Sequence, residues 1–228
     1  LPQARLISMK YKEIKNLPKP LIKSIVILCI ATALIGISLG TLAVNYQLPI
    51  WIPLLLSICV LAGAAEFTFI GMIAAGSSPI TAAIVGLLIN LRHLPFGLAI
   101  THFIEKNKLK YFATHIMNDE SVLFGLSQSS NELKLSAYWL CGVGILFAWP
   151  IGVLSGYLLG SHLAYAKLLG IDTIFPVVLF ALTFKALKRK SARKSAMTGA
   201  VISLATFPFL PLGIPILMSL FGLLVGRK

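Results

Sequence analysis

The sequence predicts an all-α, polytopic integral membrane protein with about six to seven transmembrane segments, some of them broken or re-entrant. Of its 228 residues, 57% are hydrophobic and only 12% are charged, whereas soluble domains carry about 25% charged residues. The charges are also clustered: Asp, Glu, Lys and Arg are absent from 24–65, 67–91, 135–166 and 195–226. A helix of about 20 apolar residues crosses a bilayer, and each of these intervals is longer than that.

The net charge of +13 is concentrated in short basic segments beside the apolar ones. Lysines crowd the region before residue 24, and a second basic cluster occupies 185–194. Lys and Arg in short loops indicate the cytoplasmic side of a membrane, where they also meet anionic lipid. This placement argues for a lipid bilayer and against nucleic acid as the partner of the positive charge.

Residues 1–21 are therefore predicted to form a cytoplasmic basic N-terminal segment, and 22–228 a single transmembrane domain in the cytoplasmic (inner) membrane. Residues 1–8 precede Met9, a candidate natural start, and we assign them no function. The apolar segments are, in chain order, 22–44, 50–75, 79–104, 136–160, 170–184 and a Pro-interrupted 196–225.

The loop "EKNKLK" at 105–110 decides between two topologies. If 50–75 and 79–104 were both full spans, this basic loop would lie outside, against the rule for positive charge. The favoured alternative is a single net crossing over 50–104, with one piece re-entrant or broken at the midplane. Counting crossings back from the basic segment 185–194 also places 129–135 inside. Residues 111–128 then begin and end on the same side, so this stretch is not a simple span. The other possibility keeps 79–104 and 111–128 as full spans.

Broken helices are expected at Gly63 to Glu66, Gly76 to Pro79, Asn90 to Pro95 and the proline cluster at 208–215. Non-helical backbone at membrane depth is tolerated only inside protein or beside a water-filled cavity. "PITAAIVGLLI" at 79–89 and "PILMSLFGLLV" at 215–225 share a Pro-Ile start and a Gly-Leu-Leu at equal spacing. The pair suggests a possible inverted repeat, as in many secondary transporters.

Glu66 and the stretch "INLRHLPFG" at 89–97 contain the candidate substrate-binding residues Glu66, Asn90, Arg92 and His93. Ionisable groups within apolar segments are costly and mark functional sites. Arg92 offers a bidentate fork to a carboxylate, and Glu66 could face an ammonium group or carry a proton. The alternative is purely structural: Arg92 and Glu66 pair with each other, and His93 is a packing residue.

The candidate coupling or gating residues are His115, Asp119, Glu120 and Asp172. His115 and Asp119 would share one helix face if 115–120 is helical. The simpler interpretation is that Asn118 is an N-cap with Asp119 and Glu120 in the first helical turn. Asp172, in "GIDTIFP", could also be only an N-cap.

The sequence predicts neither an enzyme nor a cofactor. It has no Walker loop, HExxH or GxSxG motif. Cys29, Cys59 and Cys141 lie in apolar segments without metal-ligand spacing, so we predict no metal site and interpret them as packing residues.

Five motifs in order resemble the AzlC-type branched-chain amino acid permease family: "AGAAEF" at 62–67, "AAGSSP" at 74–79, "NLRHLPFG" at 90–97, "NDE" at 118–120 and "GIDTIFPVVLF" at 170–180. The resemblance runs from about residue 25 to the C-terminus, and "NLRH" followed by Gly is its most specific piece. The family commonly has Gln in place of Glu66 and Thr in place of Asn118; the second change preserves an N-cap.

The resemblance implies a secondary transporter that exports branched-chain or similar small apolar amino acids, together with a small membrane subunit of the AzlD type. Alternating access driven by the proton gradient is the leading hypothesis. The alternatives are an ion-conducting channel, which would pass current without saturable amino acid flux, and a non-transporting membrane scaffold subunit, whose polar residues would be replaceable.

Overall fold

A computed structural model of the chain describes residues 17–104, 109–162, 184, 187–210 and 214–225. The elements in these ranges are helices, which confirms the all-α class. They are α1 (Lys19–Asn45), α2 (Trp51–Cys59), α3 (Gly63–Ala74), α4 (Pro79–Asn90), α5 (His93–Ile100), α6 (Leu109–His115), α7 (Asp119–Leu126), α8 (Asn131–His162), α9 (Lys190–Thr206), α10 (Ile214–Met218), a 3-10 turn (Ser219–Phe221) and α11 (Gly222–Val225). The predicted segment 170–184 lies outside the described residues apart from Phe184.

The turn between α3 and α4 follows directly from local sequence. Gly76 has φ +85°, and the N–H groups of Gly76 and Ser77 donate to the carbonyls of Ile73 and Met72, which closes α3 with a Schellman motif. Ser78 then caps α4 by accepting from the Thr81 N–H, and Pro79 occupies the first turn, where no N–H is required. The predicted break between Gly76 and Pro79 is confirmed.

The long helices α1 and α8 pack side by side and run in the same direction. Close approaches join Gly144 to Cys29, Gly152 to Ala33, Gly156 to Ile37 and Gly160 to Thr41, so residue numbers rise together along both helices. Small residues let membrane helices approach this closely. Thr41 adds a hydrogen bond from its hydroxyl to the Gly156 carbonyl at 3.2 Å.

α4 and α5 form one kinked rod that runs opposite to α8. Leu91 and Arg92 interrupt the helix at the predicted Asn90–Pro95 break but keep right-handed helical angles. Pro79–Ile100 is therefore long enough to cross a membrane, as are α1 and α8. Beyond the rod, the ring of Phe103 lies against that of Tyr138, with centroids 6.0 Å apart. The rod thus ends near the first turns of α8.

α6 and α7 form a hairpin that enters and leaves at the same end of α8. The Tyr138 hydroxyl donates to the Ala113 carbonyl at 2.6 Å, and Ile116 packs against Gly142. The returning helix brings Gly125 back to Tyr138 and to the Lys134 carbonyl. α6 ends at His115 and α7 begins at Asp119. The condition under which these two residues would share one helix face is therefore not met, because Asn118 starts a new helix that folds back.

α2 and α3 form another hairpin, which enters from the opposite end of α8. The Tyr157 hydroxyl donates to the Leu48 carbonyl just before α2, and Gly63, at the start of α3, packs on Trp149. α2 therefore descends along α8. α3 then runs in the direction opposite to α2 and pairs antiparallel with α4, where Ala65 lies against Gly86. Leu61, with φ +50°, makes the reversal, in the left-handed region that a Leu adopts only under strain.

The first hairpin tip, residues 60–62 between α2 and α3, and the second hairpin tip, residues 116–118 between α6 and α7, thus meet halfway along α8. This folded-back arrangement has the form that the charge count favours for 50–104 and 111–128. The side of the membrane and the number of crossings stay predictions. The two similar sequence segments, 79–89 and 215–225, both lie in helices that pack on the helix before them. α4 packs on α3, and α10 and α11 pack on α9.

Candidate functional site

A cavity of about 180 Å³ lies between the two hairpin tips. Its walls come from the first hairpin tip, the second hairpin tip, the kink of the rod, and α1 and α8. The lining residues are Leu61, Ala62, Gly63, Ala64, Asn118, Asp119, Glu120, Arg92, His93, Thr32, Ile35, Ile145 and Trp149. This one cavity is therefore lined by four of the predicted site residues: Arg92, His93, Asp119 and Glu120.

Arg92 and Asp119 form an ion pair across this cavity. Nη1 of Arg92 lies 2.9 Å from Oδ2 of Asp119, and the two side chains are 38% and 42% exposed. The pairing of Arg92 with Glu66, one of the two alternatives from sequence, is not formed. The Arg92 guanidinium, at the interruption between α4 and α5, lies at the second hairpin tip and not at α3.

The ion pair uses only part of the hydrogen-bonding capacity of either group. Nε of Arg92 and Oδ1 of Asp119 are both buried and have no hydrogen-bond partner among the described residues. A guanidinium has five N–H donors in a planar fork, and a carboxylate has two acceptor oxygens. Buried polar atoms are normally satisfied, so these two atoms are exceptions among the described residues, while other parts of both side chains stay exposed.

The second hairpin tip is built by a reciprocal cap. Asn118 Oδ1 accepts from the Ser121 N–H at 2.8 Å, and Ser121 Oγ accepts from the Asn118 N–H at 3.0 Å. This capping box places Asp119 and Glu120 in the first turn of α7, where the helix dipole favours negative charge. The predicted N-cap role of Asn118 is confirmed, and both acids line the cavity.

Glu66 lies behind the first hairpin tip rather than in the cavity. Its side chain is fully buried; Oε1 accepts from the Ala62 N–H at 2.8 Å, and the Trp149 indole N–H lies 3.1 and 3.0 Å from the two oxygens. Glu66 and Asn90 instead line a second cavity of about 230 Å³, whose other walls are mostly apolar. There Asn90 Oδ1 is a buried acceptor without a partner in the described part of the chain.

The remaining predicted residues have weaker positions. His93 lines the cavity, but its Nδ1 lies 3.0 Å from the Asn90 carbonyl and its ring packs edge-on against Phe96. His115 ends α6 beside Phe112 and does not line the cavity. Asp172 lies outside the described residues. Within the described ranges, no three His, Cys, Asp or Glu side chains are grouped as metal ligands.

Trp149 is the site residue that the sequence did not predict. It lines the cavity, donates to Glu66 and packs edge-on against Phe67. A buried indole N–H requires an acceptor, which is a local signal that some partner exists. That partner is 83 residues away, so the sequence alone could not locate it.

A protein-family model and three relatives match this chain. The model of the AzlC protein family matches residues 28–163. The chain belongs to the AzlC protein family. The matched range contains both hairpins, the rod, α8 and the whole wall of the cavity, so the described site lies in the part that defines AzlC proteins.

Three relatives are membrane or transport proteins by name. Two uncharacterized membrane proteins of Helicobacter pylori, from strains 26695 and J99, are 27% and 28% identical over 174 and 185 residues. These alignments cover 75% and 76% of this chain and 75% and 78% of the relatives. The branched-chain amino acid transport protein AzlC of Bacillus subtilis is 24% identical over 203 residues, which is 85% of this chain and 79% of that protein. No solved structure matches the chain.

Proposed function

We propose that this AzlC protein is a secondary transporter that exports branched-chain or similar small apolar amino acids across the cytoplasmic membrane. The observation that supports this most directly is the ion pair of Arg92 and Asp119 in the cavity wall, in which the two side chains stay 38% and 42% exposed. An amino acid zwitterion supplies the complementary groups, a carboxylate for the guanidinium and an ammonium for the carboxylate. One ligand would thereby complement both charges, and Asp119 replaces Glu66 as the proposed ammonium contact.

The start of α3 supplies further donors for the carboxylate. The N–H groups of Gly63 and Ala64 belong to its first turn, whose N–H groups have no intrahelical acceptor. Both residues line the cavity. Helix N-termini attract anions through these N–H groups and through the helix dipole. Half-helix N-termini facing a midplane site are the arrangement that several transporter folds use.

The size and walls of the cavity suit a small aliphatic side chain. Its volume of about 180 Å³ is comparable with an engineered apolar protein cavity of about 150 Å³ that holds benzene. Ile35, Leu61 and Ile145 supply apolar surface opposite the charged residues. The cavity therefore combines two opposite charges with a limited apolar volume, which favours a small apolar amino acid over a larger solute.

The Bacillus subtilis relative is named for branched-chain amino acid transport, which supports the substrate class. Export, the use of the proton gradient and a small AzlD-type partner subunit are hypotheses from the resemblance. Glu120 lines the cavity beside the ion pair and is our candidate for proton coupling.

Efflux of amino acids from cells loaded with branched-chain dipeptides tests the proposal. The variants Arg92→Gln and Asp119→Asn remove one charge each from the cavity, and Arg193→Gln and Glu132→Gln remove matched exposed charges. We expect KM for efflux to rise about tenfold or more in the first two, the usual cost of losing a hydrogen bond to a charged group. The controls should behave as the parent protein, with equal amounts of each in the membrane.

Unchanged efflux in both cavity variants would overturn the proposal. Current through reconstituted protein without saturable amino acid flux would support the channel alternative instead. Each assay is run with and without a small AzlD-type subunit, so that a requirement for the partner is measured in the same experiment.

A further inference from the structure

Both oxygens of the Glu66 carboxylate accept hydrogen bonds from other groups of the protein. Its oxygens accept from the Ala62 N–H and from the Trp149 indole N–H, at distances of 2.8 to 3.1 Å. The side chain has no exposed surface and does not line the cavity that Arg92 and Asp119 share. A substrate in that cavity would not meet either oxygen of Glu66 in this conformation.

The two donors show what this carboxylate holds in place. Ala62 is the N-cap of α3 and has no side chain with which to cap a helix. Glu66 reaches back from the first turn to the Ala62 N–H, and a carboxylate at this end of a helix is favoured by the dipole. The hydrogen bond therefore fixes the backbone that leads into Gly63 and Ala64.

Trp149 fixes the same segment from the other side. A Cβ atom at Gly63 would lie only 3.1 Å from Trp149 Cη2, so the indole ring lies directly against the backbone of the hairpin tip. Phe67, one turn along α3, packs edge-on against the same ring with centroids 6.4 Å apart. Ring contacts and the indole N–H together clamp the start of α3 to α8.

We infer that Glu66 and Trp149 are a positioning pair that holds the N–H groups of Gly63 and Ala64 toward the cavity for the carboxylate of the substrate. Glu66 acts through the hairpin tip and is neither a substrate ligand nor the proton carrier. The inference rests on the proposed function, because it assigns these N–H groups to the substrate carboxylate. It extends that function to two residues on different helices that act as one unit.

Saturation curves for efflux separate positioning from direct binding or proton transfer. Glu66→Ala removes both acceptors, and Trp149→Phe removes the indole N–H together with the outer ring atoms that lie against Gly63. We expect each to raise KM about tenfold with a smaller change in kcat, as expected for the loss of a charged hydrogen bond. The double variant should be no worse than the poorer single variant, because the two changes disrupt the same contact.

Glu66→Gln is the conservative variant that should restore the position of the hairpin tip. Its amide oxygen carries no charge but can still accept from the N–H groups of Ala62 and Trp149. It should restore KM to within about threefold of the parent, with an unchanged pH profile of efflux. Trp51→Phe, at an exposed tryptophan on α2, is the matched control for loss of an indole. Melting temperatures of the purified variants verify that each one is folded.

Two results would overturn the inference. Loss of efflux or a displaced pH profile in Glu66→Gln would mean that the charge or the proton of Glu66 is used directly. Parental KM in both Glu66→Ala and Trp149→Phe would mean that the pair positions nothing. These results are distinguishable from failure of the proposed function, which would appear as unchanged efflux in Arg92→Gln and Asp119→Asn.

Discussion

Asn118 and Ser121 begin a helix in the interior of an apolar protein by satisfying each other's backbone N–H groups. Both residues are buried, where unpaired backbone N–H groups are costly. The cap also decides where Asp119 points, because Asp119 is the first residue of α7. A local pattern, Asn followed by two acids, thus places one half of the ion pair with Arg92.

Replacing Asn118 by Ala should weaken both the helix and the site. We expect a loss of about 1 kcal/mol of stability, the typical cost of removing an N-cap, and a higher KM because Asp119 is no longer fixed. Thermal unfolding in detergent and efflux kinetics measure the two effects. Ser78→Ala is the control, because Ser78 is the N-cap of α4 but does not line the cavity. This variant should lower stability without changing KM. Parental KM in Asn118→Ala would show that the cap does not position Asp119.

At the scale of elements, glycines decide how closely α1 and α8 approach. Gly36 and Gly40 on α1, and Gly152 and Gly156 on α8, lie against backbone atoms of the opposite helix. Without a hydrophobic driving force inside lipid, close packing and interhelical hydrogen bonds hold such helices together. The pair is the frame on which both hairpins are mounted.

Gly156→Ala should disrupt this frame. The added Cβ would overlap the carbonyl oxygen of Ile37, which is backbone and cannot rotate away. We expect destabilisation of about 1–3 kcal/mol, as for overpacked cores, measured as a lower unfolding temperature. Gly71→Ala on α3 is the control, because a Cβ there meets no atom within 4 Å and Ala favours a helix. Equal unfolding temperatures in the two variants would contradict the role of the glycines.

At the scale of the whole molecule, the two hairpins enter the helix bundle from opposite ends, and the direction of the helices shows which charged residues share an end. α1 and α8 run in parallel, so Lys19 and Lys23 at the start of α1 lie at the same end as Lys134. The rod and the α6–α7 hairpin return to that end, where His102 Nε2 lies 3.5 Å from Lys134 Nζ. From the positive-inside rule we predict that this is the cytoplasmic end.

Cysteine labelling tests this arrangement. In a background with Cys29, Cys59 and Cys141 replaced by Ala, Lys110→Cys and Ser130→Cys should react with a membrane-impermeant maleimide only from the cytoplasmic side. Tyr46→Cys, between α1 and α2, should react only from the opposite side. All three positions are exposed. Labelling of positions 110 and 130 from opposite sides would mean that α6 and α7 cross the membrane as a broken span.

The sequence by itself determined the all-α membrane class, the helix breaks at Gly76 and Asn90, and the cap at Asn118. These features depend on local composition, on backbone conformations that Gly and Pro favour and on side chains that bond their own backbone. Arg92 and Glu66 were also identifiable as exceptional residues, because a charge within an apolar segment is costly wherever it lies.

Only the tertiary structure decided which of these residues meet. Arg92 pairs with Asp119 rather than with Glu66, and Glu66 pairs with Trp149, because the two hairpins fold back on a frame set by α1 and α8. The reversals at Leu61 and Asn118 depend on packing between segments far apart in the chain. Such contacts leave no periodic or local signal in the sequence, which is why the cavity and its two unused polar atoms became visible only in the folded chain.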